Sequence, residues 1–480
     1  MTRVPSVVVG GGIGGLQAAH ILAKSGLEPL LLEARGTCGG LVFGAPIGGV
    51  WVDLGAESFA KRSRVTAALC TELGLDVVDP SGNSWVWSHR RPHPDAEPGY
   101  AFRIPHGVLG IPTDLDDPLL GEVLSPDGLA RAREDLTMGS GPGSDADDLA
   151  TLVETRLGRE VLDRLVDPIA GSVHSAHPSL LAVDVVSPGL REALVRDGAL
   201  VRAAASLRAE APSGAVVSSV SRGLFTLPRA LVERIGALGG TVASRRLVTG
   251  LERDASGWRV THHEAGRGPD PADPPVPVGE PEVVSTERLV VALDGRAALD
   301  LLRPLPALQI GDWQLPRGAD LAQVCIVLRE PALDAGPRGS GLLVTPEAEG
   351  ERRRVTCKAL THYSIKWPGV TVGTGKHVLR VSYGRAGVPT PEPTLAGALA
   401  DASVLLGVPL APDTVDGHAV VHFPNSLPPQ TPGHRARVAA LTSRLAGVPG
   451  LAITGAWYAG TGLAAVVAHS ERVARGLVAS

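Results

Sequence analysis

Three glycines at positions 10, 12 and 15, followed by an acid at Glu33, are the residues of this chain best suited to hold a ligand. The run Val7-Val8-Val9-Gly10-Gly11-Gly12-Ile13-Gly14-Gly15-Leu16 has the form G-x-G-x-x-G. In that form the first glycine makes a tight turn, the second lets backbone approach a pyrophosphate, and the third lets a helix pack on a strand. Unpaired N–H groups at the helix N-terminus then face the phosphates. A carboxylate at Glu33 would accept hydrogen bonds from an adenosine ribose and disfavour a 2′-phosphate there. The chemistry is dinucleotide binding, with Gly10, Gly12, Ile13, Gly14, Gly15, Glu33 and Ala34 as its candidate residues. The motif alone leaves nicotinamide and flavin dinucleotides open.

These residues work only if the elements around them fall in order. Residues 7–9 are β-branched and read as a buried parallel strand. Ile13, Leu16, Ala19 and Ala23 recur at helical spacing, and Gly26 is a natural stop. Pro29–Glu33 is a second strand, which completes a βαβ unit. Further on, the pattern predicts a helix over 61–75, a strand at 85–87 and a helix over 145–158. Leu227, Leu231 and Ile235 form one helix face, closed by Gly239 and Gly240. Strands follow at 241–243, 246–251, 258–262 and 289–293. The Pro/Gly-rich insert 266–280 reads as a loose hairpin loop. Short strands alternate with turns from 300 to 425, most clearly at 321–328 and 378–383, as in an antiparallel sheet. A strand at 451–455 and a helix from Leu463 close the pattern.

With 480 residues the chain is long for one core and predicts two or three domains. Its 44% hydrophobic and 20% charged residues are ordinary for a globular protein. A net charge of −5 argues against a general nucleic-acid binder. Cys38, Cys70, Cys325 and Cys357 are scattered without a CxxC pair, which argues against a disulfide framework or zinc site and for a reducing compartment. His174 and His177 have a metal-compatible spacing but no third ligand, so they read as structural or solvated and no metal is expected. The first strand begins within a few residues, which leaves no room for a signal peptide. No apolar run approaches the ~18–20 residues that span a bilayer. The expected location is the cytoplasm, with at most peripheral membrane contact.

Beyond the second strand stand Glu33-Ala34, then Gly39-Gly40, a short hairpin, and Asp53-Leu54-Gly55-Ala56-Glu57-Ser58-Phe59. The order E-A-x-x-x-x-G-G and D-x-G-A-E-S resembles the flavin-dependent amine oxidase superfamily. Within it, the D-L-G-A-E-S-F form resembles the protoporphyrinogen/coproporphyrinogen oxidases of haem synthesis. Residues 165–171 are similar to that family's P-x-x-A-G segment and residues 223–231 to its G-x-x-x-L-P-x-A-L. Residues 361–368 carry a K-W-P, residues 380–385 an R-x-x-x-G-R, and residues 427–434 resemble A-L-P-Q-Y-x-x-G-H. Two departures stand out. Leu41 replaces the usual Arg or Lys after the glycine pair, and residues 172–181 leave the family pattern.

The resemblance implies an α/β fold class. It comprises an FAD-binding Rossmann-type domain (1–80, 215–298 and 430–480), an inserted antiparallel-sheet substrate domain (81–95, 165–214 and 299–429) and a helical subdomain (96–164). It implies FAD as cofactor, with Gly39 and Gly40 under the phosphates and ribityl chain and Gly55 and Ala56 beside the flavin ring. Val248 would lie by the adenine and Ala292 near the cofactor, with plain sheet core as the other reading of both. Gly455, Gly460, Gly462 and Leu463 would sit against the flavin. The implied reaction is oxidation of coproporphyrinogen III to coproporphyrin III by O2, giving H2O2. Protoporphyrinogen IX oxidation, another FAD amine oxidase or desaturase, and a degenerate FAD- or tetrapyrrole-binding protein are the alternatives. Trp457 and Tyr458 would serve an amine oxidase as an aromatic cage. Glu57 is the candidate catalytic group, with structural hydrogen bonding as its other reading. Lys61, Arg62, Arg64 and Lys366 are candidate cations for substrate propionates, and Tyr363 and Trp367 either face the macrocycle or pack in the core. Implied partners are the tetrapyrrole substrate, O2, and ferrochelatase or another haem-pathway enzyme that accepts product.

Overall fold

The computed structural model describes every residue except 1, 62–63, 90–98, 211–216, 268–272, 347–353, 389–391, 427, 429–430, 432 and 480. Two sheets carry the architecture. The first is parallel and five-stranded, ordered Thr241–Ser244, Pro29–Glu33, Ser6–Val9, Leu289–Val291 and Leu451–Ile453. Its inner strands are largely buried apolar runs, as strands covered on both faces must be, while the edge strand Thr241–Ser244 is partly exposed. The helices Ile13–Lys24, Thr226–Ala237 and Leu463–Ala479 pack on one face through Leu16, Leu231 and Val467. The helix Gly295–Leu302 packs on the other through Leu299. Strands from four distant parts of the chain thus share one layer.

The second sheet has seven strands, mostly antiparallel, built from segments between Ser84 and Ser426. Ala359–His362 lies at its centre, with His377–Tyr383 and then Ala319–Leu328 to one side. Its two faces have different fates. Val324, Val381, Leu360 and Leu342 pack under the helix Leu395–Leu406. The opposite face carries the cross-strand row Val421, Gln323, Ser382, Ala359 and Leu343. Most of that row is only half-buried, whereas Cys325 and Val327 further along the same face are packed against the hairpin strands Gly44–Ile47 and Val50–Asp53.

Helices between 118 and 210 form a third body with its own core. Asp148 caps Leu149–Leu157 by accepting from the Thr151 amide at 2.9 Å, which sets the start of the helix expected over 145–158. Leu162–Gly171 winds as a wide π-type helix through Pro168. The expected division placed 165–214 with the sheet. Instead Val166, Leu181, Leu194 and Ala204 share the core of Leu149 and Leu157, because their apolar faces meet those helices.

One expectation fails. Part of the insert 266–280 is strand: Val276–Thr286 pairs with Gly257–Gly266 from Gly266 opposite Val276 onward. On its other side this strand pairs, among the described residues, with Thr2–Arg3, opposite Val284 and Ser285. Pro277 and Pro281 therefore lie where the neighbouring edge is open, and proline is tolerated there. The remainder of the insert, 268–272, lies outside the described residues.

Candidate active site

The nucleotide loop is shaped by close approaches. A Cβ on Gly15 would overlap the Gly10 carbonyl oxygen, and one on Gly10, at φ +102°, would stand 2.5 Å from the Ala292 carbonyl oxygen. Gly12 differs: a Cβ there would meet nothing within 4 Å. It points into open space at the N-terminus of Ile13–Lys24, whose first residues Ile13, Gly14 and Gly15 are buried. Gly14 packs beside Val466 and Ser470 of the helix Leu463–Ala479. Glu33 ends its strand with its carboxylate accepting from the Gly11 and Arg35 amides, each at 2.6 Å. Ala34 beside it is half-buried.

Other glycines join this loop. The Gly39 amide donates to the Gly11 carbonyl at 2.8 Å, and a Cβ on Gly40 would stand 3.2 Å from the Gly12 Cα. The chain then runs through Leu41, which is exposed at the position where the resembled family carries Arg or Lys. The Ala56 amide donates to the Leu41 carbonyl at 2.8 Å, which lays Gly55 and Ala56 along the same strip. From the other end of the chain, Thr454 bonds Val291, Gly455 approaches the Leu293 carbonyl, and Gly462 has nothing within 4 Å of a Cβ. Gly460 is nearly as open, and Leu463 is half-buried on the parallel-sheet core. Val248 is half-buried in the core beneath Leu32. The result is a long cradle of bare main chain around Gly12, Gly40 and Gly462. A flat dinucleotide needs such a surface, since any side chain would stand between it and the backbone.

Next to this strip lies a buried ionic cluster. Glu57 takes Lys366 Nζ on Oε1 at 2.6 Å and Arg380 Nη1 on Oε2. Arg380 is 4% exposed, and it also donates to the Gly55 carbonyl and, at 3.0 Å, to Gln323 Oε1. Burial alone would raise the Glu57 carboxyl, but the Lys366 and Arg380 charges outweigh it and hold it down to about 2. Asp53, fully buried, accepts from the Leu224 and Phe225 amides at 2.8 and 2.7 Å and from the Tyr363 hydroxyl at 2.7 Å. Burial raises its carboxyl above the usual range despite those bonds. One motif thus ties the hairpin strand Val50–Asp53, the loop before Thr226 and the turn after His362 together.

The expected substrate contacts are rearranged. Tyr363 is 0% and Trp367 2% exposed, so both rings are core and neither faces open space. Lys366 is spent on Glu57, and Lys61 is paired with Asp79 at 2.6 Å. Arg64 begins the exposed end of Arg64–Glu72, and Arg62 lies outside the described residues, as does part of 427–434. Trp457 and Tyr458 are buried edge-to-face at 73°, with the Tyr458 hydroxyl on Thr442, and present no parallel cage. His177 accepts the Ser179 amide at 3.2 Å, and His174 is half-buried. Sequence reasoning missed Asp53, Arg380 and Gln323 as site residues. Asp53 and Arg380 stood inside quoted motifs, and nothing in the sequence marked Gln323. A cavity of about 490 Å³ lies apart from this site, between Ile310 and Trp313 on one side and Arg437, Leu441 and Arg444 on the other.

A cradle of this kind beside a half-open sheet defines a flavoenzyme, and residues 13–478 match the family of flavin containing amine oxidoreductases. The chain belongs to that family; it is an FAD-dependent oxidoreductase, and the bare glycine strip fits the cofactor. It is 27% identical to coproporphyrinogen III oxidase of Mycobacterium leprae over 493 aligned residues, covering 100% of this chain and 99% of that protein. It is 24% identical to coproporphyrinogen III oxidase of Bacillus subtilis, covering 95% of this chain and 94% of that protein. A crystal structure from Exiguobacterium sp. 255-15, provisionally assigned as a protoporphyrinogen oxidase, superposes with a TM-score of 0.78 at 22% identity, covering 100% of this chain and 99% of that one. Cyclohexylamine oxidase of Brevibacterium oxydans shares the fold at a TM-score of 0.64 and 18% identity, with 99% of each chain covered. No helix among the described residues is long and apolar enough to cross a membrane.

Proposed function

We propose that this chain oxidises a porphyrinogen of haem synthesis, with coproporphyrinogen III as substrate, O2 as electron acceptor and H2O2 as the reduced product. The observation that carries the reading is the end-to-end match to coproporphyrinogen III oxidases. Bound FAD supplies a two-electron acceptor that oxygen can restore. The protein's part is to position and shield a flexible macrocycle whose aromatisation drives the reaction. Arg380 fixes the Gly55 carbonyl and, through Gln323, the half-open face of the seven-stranded sheet. That face, with Ser382, Ala359 and Leu343, offers a broad, weakly polar wall for a flat ring. Glu57 is a clamp for this wall, since a carboxylate held between two cations is a poor proton acceptor. The buried Trp457 and Tyr458 disfavour the amine oxidase reading.

The test is oxygen uptake together with porphyrin fluorescence, using coproporphyrinogen III, protoporphyrinogen IX and simple amines. Coproporphyrinogen III should react fastest and amines not at all. Flavin that no porphyrinogen reduces under anaerobic conditions refutes the proposal.

A further inference from the structure

A second polar cluster lies where the helical body meets the seven-stranded sheet, and nothing derived so far uses it. Lys358 precedes the strand Ala359–His362 and is half-buried. Its amide donates to the Ser382 carbonyl at 2.8 Å, and its Nζ donates to the Ser175 hydroxyl of the helical body. Ser175 is buried, sits at φ +54°, and accepts the Ala386 amide on its carbonyl at 2.7 Å. Arg385 donates to the Val344 carbonyl at 2.8 Å and adds a second positive charge close enough to act on Lys358.

Lys358 is the cation of this cluster whose charge has no acid beside it. Among the described residues no carboxylate lies within ion-pair distance of Lys358. Burial and the Arg385 charge push its ammonium down to about 7. The nearby acid is Asp167, 6% exposed in the wide helix Leu162–Gly171. Burial raises its carboxyl despite Arg385 and His177, and its Oδ1 has no hydrogen-bond partner. A half-buried cation costs free energy unless an anion joins it. We infer that Lys358, with Arg385 and Ser175, receives one carboxylate of the substrate at the junction of sheet and helical body. The inference rests on the porphyrinogen reading, because that substrate carries propionates. It also supplies the cation that Lys61 and Lys366, each already paired, do not.

A carboxylate arriving there would favour the charged lysine. Binding should therefore be tight below about pH 7, where the free lysine is already protonated, and should weaken as pH rises above it. The test titrates flavin-loaded enzyme with coproporphyrin III, the stable product, and with its tetramethyl ester. Lys358→Met should weaken coproporphyrin binding roughly 10- to 100-fold, the scale of a charge-assisted hydrogen bond. It should leave ester binding and flavin content unchanged. Lys358→Arg should restore affinity and give a flat profile between about pH 6 and 9. Equal affinity in Lys358→Met and wild type overturns the inference, as does a flat wild-type profile, which needs no variant to fold. If wild type neither binds coproporphyrin nor is reduced by a porphyrinogen, the functional reading itself falls and takes the inference with it. If a porphyrinogen reduces wild type and Lys358→Met with the same concentration dependence, the inference alone falls.

Discussion

Replacing Glu57 by Gln separates a structural clamp from a catalytic base. The substitution keeps the shape and removes the charge that Lys366 and Arg380 share. The carboxyl lies at about 2 instead of the usual 4.5. At about 1.4 kcal/mol per unit, that depression corresponds to roughly 3 kcal/mol of stability. Stranding buried Arg380 and half-buried Lys366 gives a similar figure, about 3–5 kcal/mol, a large part of a typical folding free energy. Because the folded carboxyl is lowered, its contribution is complete above pH 4.5 and disappears as pH falls towards 2. Urea unfolding followed by flavin fluorescence should show Glu57→Gln well below wild type at neutral pH, with the gap closing in acid. On the flavin-loaded fraction, reduction by coproporphyrinogen should slow less than about tenfold, whereas loss of a general base costs on the order of 10²–10⁴. A variant within about 1 kcal/mol of wild type at neutral pH, or a gap that persists in acid, would refute the clamp.

Other perturbations follow from the same geometry. Gly12→Ala should leave the apoprotein's stability unchanged within about 0.5 kcal/mol and weaken FAD binding, because its Cβ enters only the cradle. Gly15→Ala should instead reduce folded yield, since its Cβ overlaps the Gly10 carbonyl; thermal melts of both apoproteins, with FAD titration, separate the two cases. Tyr363→Phe leaves buried Asp53 without its hydroxyl donor and should cost about 1–3 kcal/mol in urea unfolding. A loss near zero would mean that the two main-chain amides suffice for Asp53.

Legibility differed sharply between the cradle and the wall. Gly10, Gly12 and Gly15 could be read because their spacing follows from local geometry: a tight turn and a helix start demand it. Strands at 29–33 and 321–328 were visible through their concentration of apolar residues. Gln323 and Lys358 could not be found that way, since their roles come from contacts with Arg380 and Ser175, far off in the chain. Tyr363 and Trp367 illustrate the opposite error. Large aromatics within a motif suggested a ligand face, yet an aromatic buries equally well in a core, and Asp53 provided the partner Tyr363 needs. The Pro/Gly-rich insert was misread in part because composition does not reveal which edge of a strand stays open.

The shared parallel layer also constrains how the protein comes into being. Ser6–Val9 and Pro29–Glu33 leave the ribosome long before Leu289–Val291, which flanks Ser6–Val9 on its other side, and Leu451–Ile453 comes later still. Pairings this distant in sequence form slowly and leave unpaired edges exposed meanwhile. Capture of the yellow prosthetic group must then follow translation rather than accompany it, and supply of free flavin during expression should govern how much chain escapes aggregation.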